Sequence, residues 1–241
     1  MPETEAAVVR PGTGLFVRET LQVDEQRPDE NELAPPAPVG CGIQTGAGAV
    51  LNELRPGTGG SVAVCGAGAV DLFAVMAAAL APAEKIIAVA IVPSRLEPAR
   101  ELGATHTING NQEDTPQRLR EITGGRGVDR ALESGGVPAL LRQAIGCLAL
   151  GHGTVAVVGA PPVGTDGTFD VNFLLSGRTI RGVTEGDSDL TAFIPALANL
   201  YRSGRLPFDH MARLYEPSRI DEAAAEATGG QVLKPVLRFA D

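Results

Sequence analysis

The chain has 241 residues, a formal net charge of −9 and 44% hydrophobic residues, with few aromatics and no tryptophan. Its length allows one large or two small domains, and its core must be built mainly from Ala, Val, Leu and Ile. The acidic balance argues against nucleic acid and against an anionic membrane surface, since both need concentrated basic charge.

Residues 6–27 read as two short strands around the turn PGTG. The stretch 27–38 (RPDENELAPPAP) is polar and proline-rich and reads as a linker. The N-terminus lacks a basic region followed by an apolar one, so no signal peptide is expected. The apolar runs are too short for a membrane span, and a soluble, cytoplasmic protein is the expectation.

From Val39 the texture changes. Residues 43–54 suit a helix. SVAVC is a β-rich run, followed by the glycine turn Gly66-Ala67-Gly68 and an alanine-rich helix. KIIAVAIV predicts a strand, PSRLEPARELGA a helix, THTING a strand and TPQRLREITGG a helix. VDRALESGG then predicts a strand, VPALLRQAIGCLAL a helix, and GTVAVVGAPP and RTIRGVTEG two more strands. A helix (LTAFIPALANLYRSG), a strand near HMARLY, a helix (IDEAAAEATGG) and a strand (VLKPVLRF) close the chain. Strands alternating with helices imply right-handed βαβ crossovers and a doubly wound parallel α/β sheet. The expected division is a small β-rich N-terminal part over 1–38, the α/β domain over 39–190, and C-terminal helices and strands over 191–241.

The strongest motif is Gly66-Ala67-Gly68-Ala69-Val70-Asp71, set between strand and helix as a dinucleotide fingerprint requires. In that fingerprint the third glycine lets the helix pack closely on the strand. Here it is Asp71. Either its carboxylate caps the helix and points to solvent, or it competes with the pyrophosphate for the helix N-terminus. The acidic residue that normally holds the adenosine ribose is also replaced, by Ala90. Ser94 and Arg95 nearby suit a 2′-phosphate, which leaves NADP open as a cofactor.

The stretches GCGIQTGAGAVLN, SVAVCGAGAV, SRLEPARELGATHTIN, VVGAPP, IRGVTEGDS and LKPVLRF carry a resemblance to the zinc-type medium-chain alcohol dehydrogenases, particularly the aryl- or benzyl-alcohol type. The resemblance covers most of the chain and implies a Rossmann-type domain. It also implies that a segment on the order of a hundred residues, the size of a small domain, is missing between RPDE and LAPPAPVGCG. In the family that segment carries two of the catalytic zinc ligands, the proton-relay hydroxyl and the structural zinc loop. Cys41 matches the one remaining zinc ligand, and a catalytic zinc needs three, so zinc is not expected here.

Other matches put Val158, Gly159, Ala160 and Pro161 at the strand exit facing the nicotinamide, Glu133 and Gly136 at the cofactor cleft, and Lys234 at the pyrophosphate. Thr179–Gly186 resembles the edge strand that joins two subunits, which implies a homodimer. Cys65 and Cys147 read as small buried apolar residues. His106, His152 and His210 read as structural or solvated.

Four functions compete. The favoured one is a non-redox catalyst (cyclisation, isomerisation or elimination, as in a biosynthetic pathway) or binder of a small organic molecule in the vacated cleft. Its candidate catalytic groups are Asp71, Glu133, Glu185, Asp187 and Cys41, with Gly66, Gly68, Ser94, Arg95, Val158, Gly159 and Lys234 as inherited cofactor positions. A zinc-independent NADP(H) oxidoreductase, a non-catalytic dimeric scaffold and a decayed fragment are the others.

Overall fold

In a computed structural model the described residues are 3–9, 16–22 and 37–238, with side chains described from Val39 onward, His210 excepted. The 27–38 linker falls almost wholly outside them. The chain divides into two units, one of residues 1–38 with 207–241 and the other of 39–206. The helix over 190–202 falls in the second unit.

The first unit contains an antiparallel hairpin, β1 (Glu3–Val9) with β2 (Phe16–Gln22). It also contains β9 (Ala212–Tyr215) and β10 (Lys234–Leu237), which pair in parallel around α8 (Ile220–Thr228). Tyr215 is buried there and its hydroxyl donates to Glu226.

The second unit begins with α1 (Gly42–Gly48), which widens to i→i+5 hydrogen bonding over Ala49–Leu54. Arg55 ends it in a left-handed conformation, φ 40°, its N–H donating to Val50 O at 2.8 Å. Then come β3 (Ser61–Cys65), α2 (Ala69–Leu80), β4 (Lys85–Ala90), α3 (Leu96–Glu101) and β5 (His106–Asn109). They are followed by α4 (Thr115–Ile122), β6 (Arg130–Glu133), α5 (Pro138–Gly146) and β7 (Thr154–Val157). A short α6 (Asn172–Leu175), β8 (Thr179–Gly182) and α7 (Leu190–Arg202) complete it.

The six strands are all parallel, in the order β5-β4-β3-β6-β7-β8. This is the doubly wound order, and its switch point lies between β3 and β6, where ligands of open sheets sit beyond the strand ends. All five residues of β3 are buried, as expected of a central parallel strand covered on both faces. The core is aliphatic, with Ile87, Ile108, Leu119, Ala131, Ile145 and Val155 among its members. Asp114 and Asp189 cap α4 and α7, accepting from the backbone N–H of Gln117 and Thr191.

At the N-terminal end of the sheet Asp129 ties three strands. Its Oδ2 accepts from Ser61 N and Oγ, each at 2.7 Å, and its Oδ1 lies 2.7 Å from His152 Nε2. Burial works against ionisation of Asp129, but the bonds from Ser61 and His152 outweigh it and hold the carboxyl below its usual range. His152, before β7, and His106, which opens β5, lie at the end of the sheet away from the glycine turn. Among the described residues no helix is long and apolar enough to cross a membrane.

Candidate functional site

The site is built where β3 runs into α2. Gly66 has φ +153°, a conformation that L side chains rarely adopt, and its N–H donates to Val89 O on β4. Gly68 is the residue preceding the first turn of α2. Asp71 stands one turn in and folds back, so that Oδ2 accepts the Gly68 N–H at 2.9 Å. Ser134, just past β6, donates its hydroxyl to Asp71 Oδ1 at 2.5 Å. A Cβ on Gly66 would lie 2.4 Å from Asp71 Oδ2, so the carboxyl fills the concave side of the turn.

Asp71 therefore caps its helix, but from inside: it is 4% exposed and does not point to solvent. Burial pushes its carboxyl up, against the lowering effect of the Ser134 and Gly68 hydrogen bonds. Glu133, the last residue of β6, is 1% exposed. Burial raises it too; the N–H dipoles of Gly135, Gly136 and Val137 offset this in part, and the Asp71 carboxyl adds to the rise. Among the described residues Glu133 Oε1 has no hydrogen-bond partner. Cys65, at the end of β3, is buried and its thiol is pushed up by desolvation. Cys147 is likewise raised by burial, to about 11. Neither is a ready thiolate.

Over the turn lies a cavity of about 410 Å³. Its wall is Cys65–Gly68 and Asp71 on one side, Val89–Val92 and Arg95 on another, and Ser134, Gly135, Val137 and Leu140 on the third. Ala90 is the last residue of β4, paired with Asn109, and contributes a methyl group where the fingerprint would place a carboxylate. Arg95 lines the cavity, whereas Ser94 is exposed in the turn beside it and is not part of the wall. A second cavity of about 70 Å³ lies beyond β6 and β7, between Glu133, Gly136, Val157 and Gly159. Gly159 packs so closely that a Cβ there would sit 2.1 Å from Gly136 N and 2.9 Å from Glu133 Oε2. Val158 precedes it, half-buried.

Glu185 and Asp187 do not join this constellation. Glu185 Oε2 accepts from Gln44 Nε2 at 2.5 Å and Thr45 Oγ1 at 3.4 Å, on α1. Asp187 pairs with Arg181 at 3.2 Å, and Arg181 also reaches Glu53 at 3.0 Å. The reason is local: Glu185, Gly186 and Asp187 all have positive φ, and Gly186 turns its backbone against Gln44 and Gly48. That seats the segment on α1 and directs both carboxylates away from the glycine turn. Cys41 is exposed at the start of α1. Among the described residues no three of His, Cys, Asp and Glu come together as a metal would require. Lys234 opens β10, in the other unit.

Ser134 is the site residue the sequence reading misses. A serine in a strand-exit loop carries no signal of its own; its one available cue is adjacency to Glu133.

Residues 69–199 match the family model of the zinc-binding dehydrogenases. The geraniol dehydrogenase of Castellaniella defragrans is 37% identical over 214 residues, which are 88% of this chain and 57% of that protein. The crystal structure of an alcohol dehydrogenase zinc-binding domain protein from Burkholderia ambifaria superposes with a TM-score of 0.81 and 56% identity, over 85% of this chain and 55% of that one. Benzyl alcohol dehydrogenase from Acinetobacter calcoaceticus superposes with a TM-score of 0.84 and 45% identity, over 92% of this chain and 60% of that one. By sequence and by fold together, the chain belongs to the zinc-binding dehydrogenase family, as an alcohol dehydrogenase-like member spanning little more than half the length of these relatives.

Proposed function

We propose that this protein is a degenerate alcohol dehydrogenase homologue that uses the cleft at its glycine turn to hold a small organic molecule, and that the chemistry open to it there is proton transfer rather than hydride transfer. One observation carries the reading: the Asp71 carboxyl fills the glycine turn, holding the Gly68 N–H and the Ser134 hydroxyl. A dinucleotide pyrophosphate would have to approach this same turn and share the positive end of α2 with a buried acid, at a cost in repulsion and desolvation. On that geometry the turn does not fit a pyrophosphate, and Cys41 alone does not fit a catalytic zinc. No step is routed through either.

The cleft suits a small molecule in size, since ligand cavities run from roughly 300 to 1,000 Å³. A carboxyl beside a bound molecule can exchange a proton with it. Asp71 is placed for this, its carboxyl pushed up by burial, and Ser134 can hold or pass the proton at its hydroxyl. Isomerisation, cyclisation and elimination can each begin with such a transfer, and none of them needs a hydride acceptor.

Titration with NADH and NADPH, followed by nicotinamide fluorescence and calorimetry, tests the reading. No binding is expected up to millimolar concentration. The double variant Asp71→Gly, Ala90→Asp is expected to gain NADH binding, because it restores both the open turn and the ribose carboxylate. Tight NADPH binding by the unaltered protein would instead favour a zinc-independent oxidoreductase. Arg95 on the cavity wall beside Ala90 is the feature on which that second reading rests. If the double variant binds nothing, Asp71 and Ala90 are not what closes the site to the cofactor.

A further inference from the structure

Among the described residues, no cation pairs with the acids at this cleft. Asp71, on the cavity wall, receives the backbone N–H of Gly68 and the neutral hydroxyl of Ser134. Glu133, next to Ser134 in the chain, is buried with Oε1 unpartnered and faces the adjoining 70 Å³ cavity. Among the described residues neither carboxyl pairs with Lys, Arg or His. Each is a like charge to the other. Arg95 enters the wall from the turn after β4, while Asp71 and Ser134 meet between the exits of β3 and β6. Much of the remaining wall is hydrocarbon, and three of its members are exposed for large apolar residues: Ile91 at 63%, Val137 at 50% and Val92 at 47%.

We propose that the ligand of this cleft is a small organic cation, a primary or secondary amine whose ammonium group is received by Asp71 and Ser134 and whose hydrocarbon part lies along Ile91, Val92, Val137 and Leu140. The proposal rests on the reading above, that the cleft takes an organic molecule in place of a dinucleotide. A buried carboxylate without a partner is costly, and a buried cation without one equally so; bringing them together offsets both. Hydrogen bonds between charged groups are roughly twice as strong as neutral ones. The wall carries one acid, Asp71, and one base, Arg95, from different elements; at the Asp71 end the field favours a cation over a phosphate or a carboxylate. A neutral alcohol supplies the hydrogen bond without the charge, so it ranks between amine and carboxylate.

Benzylamine, benzyl alcohol and benzoate share a ring and differ in head-group charge, and calorimetry at neutral pH with each, on the unaltered protein, is the test. Benzylamine is expected to bind at least about tenfold more tightly than benzyl alcohol, a difference of about 1.4 kcal/mol, with benzoate weaker than both. Asp71→Asn, which keeps the shape and removes the charge, is expected to abolish the amine preference. Ser134→Ala should weaken benzylamine several-fold without reversing the order. Should Asp71→Asn not fold, as judged by near-ultraviolet circular dichroism, the order of the three ligands on the unaltered protein decides alone. Equal or tighter binding of benzyl alcohol or benzoate overturns the proposal, and so does failure of all three to bind. A parallel NADPH titration separates the two levels: NADPH binding overturns the underlying reading, whereas its absence together with a preference for alcohol or carboxylate overturns only the ligand class.

Discussion

Asp71 is a substitution whose position is legible in the sequence and whose consequence is not. The fingerprint marks residue 71 as the place for a third glycine, so a carboxylate there stands out at once. Which way it turns depends on Ser134, some sixty residues away in sequence, whose hydroxyl meets Oδ1 only because β6 pairs beside β3. The result is an acid that is more easily protonated in the folded protein than in the unfolded chain. The folded state therefore binds more protons as pH rises above the ordinary Asp range, and stability falls with pH until the raised folded pKa is passed. Asp71→Asn can keep both contacts, its carbonyl accepting the Gly68 N–H and its amide donating to Ser134. In thermal unfolding the variant is expected to match the parent at low pH and exceed it at neutral and alkaline pH. A gain of about 1 kcal/mol corresponds to roughly 2–4 °C for a domain of this size. A variant less stable than the parent at every pH would mean that the carboxyl contributes favourably as a charge, and would remove the argument from an uncompensated acid.

The secondary-structure elements were largely readable because β-rich runs and helical periodicity alternate without interruption from Ser61 to Gly182. Their ends were not, since an end is set by a neighbour. KIIAVAIV reads as one strand through Val92, yet the ladder stops at the pair Ala90–Asn109, where β5 ends. Ile91 and Val92 then leave the sheet and become part of the cleft. The four residues of α6 are too few for any periodicity to register. The helix after Cys41 was anticipated, but not its wider hydrogen bonding over Ala49–Leu54, nor how tightly α1 is set against α2. Gly46 is the point of closest approach: a Cβ there would lie 2.0 Å from Val70 O, a backbone atom that cannot swing away. Gly46→Ala is expected to cost about 3 kcal/mol, the upper end for overpacking, read as a lower urea midpoint with an unchanged slope. The same change would press on Val70, one residue from Asp71, so ligand binding in the cleft should weaken more than stability alone accounts for. A stability loss under about 0.5 kcal/mol would show that the helices can part at little cost.

At the scale of the whole molecule, β8 is the last strand of its sheet and, among the described residues, pairs only with β7. The N–H groups of Thr179 and Val183 donate inward, to Gly153 O and Val157 O. In a parallel ladder alternate residues face opposite neighbours, so Ile180 and Gly182 present their N–H groups outward. A row of unpaired backbone groups of this kind is a template for another strand, and we propose that a second copy of the chain supplies it, with the two β8 strands meeting about a two-fold axis. Light scattering at micromolar concentration is expected to give the mass of a dimer. Gly182→Pro is the discriminating variant, because proline deletes one outward N–H while leaving both inward bonds to β7 in place. Gly182 is exposed, and no atom lies within 4 Å of a Cβ built there. The variant should shift the protein to monomer, or raise the dimer dissociation constant at least about tenfold, with its unfolding midpoint at high dilution unchanged. A monomeric parent, or a Gly182→Pro dimer as tight as the parent, would place the contact elsewhere. Because the glycine-turn cleft is lined by the ends of β3 and β4 and by the loop after β6, and by no residue of β8, dissociation is also expected to leave amine binding intact, so that assembly and ligand recognition can be measured as separate properties of one fold.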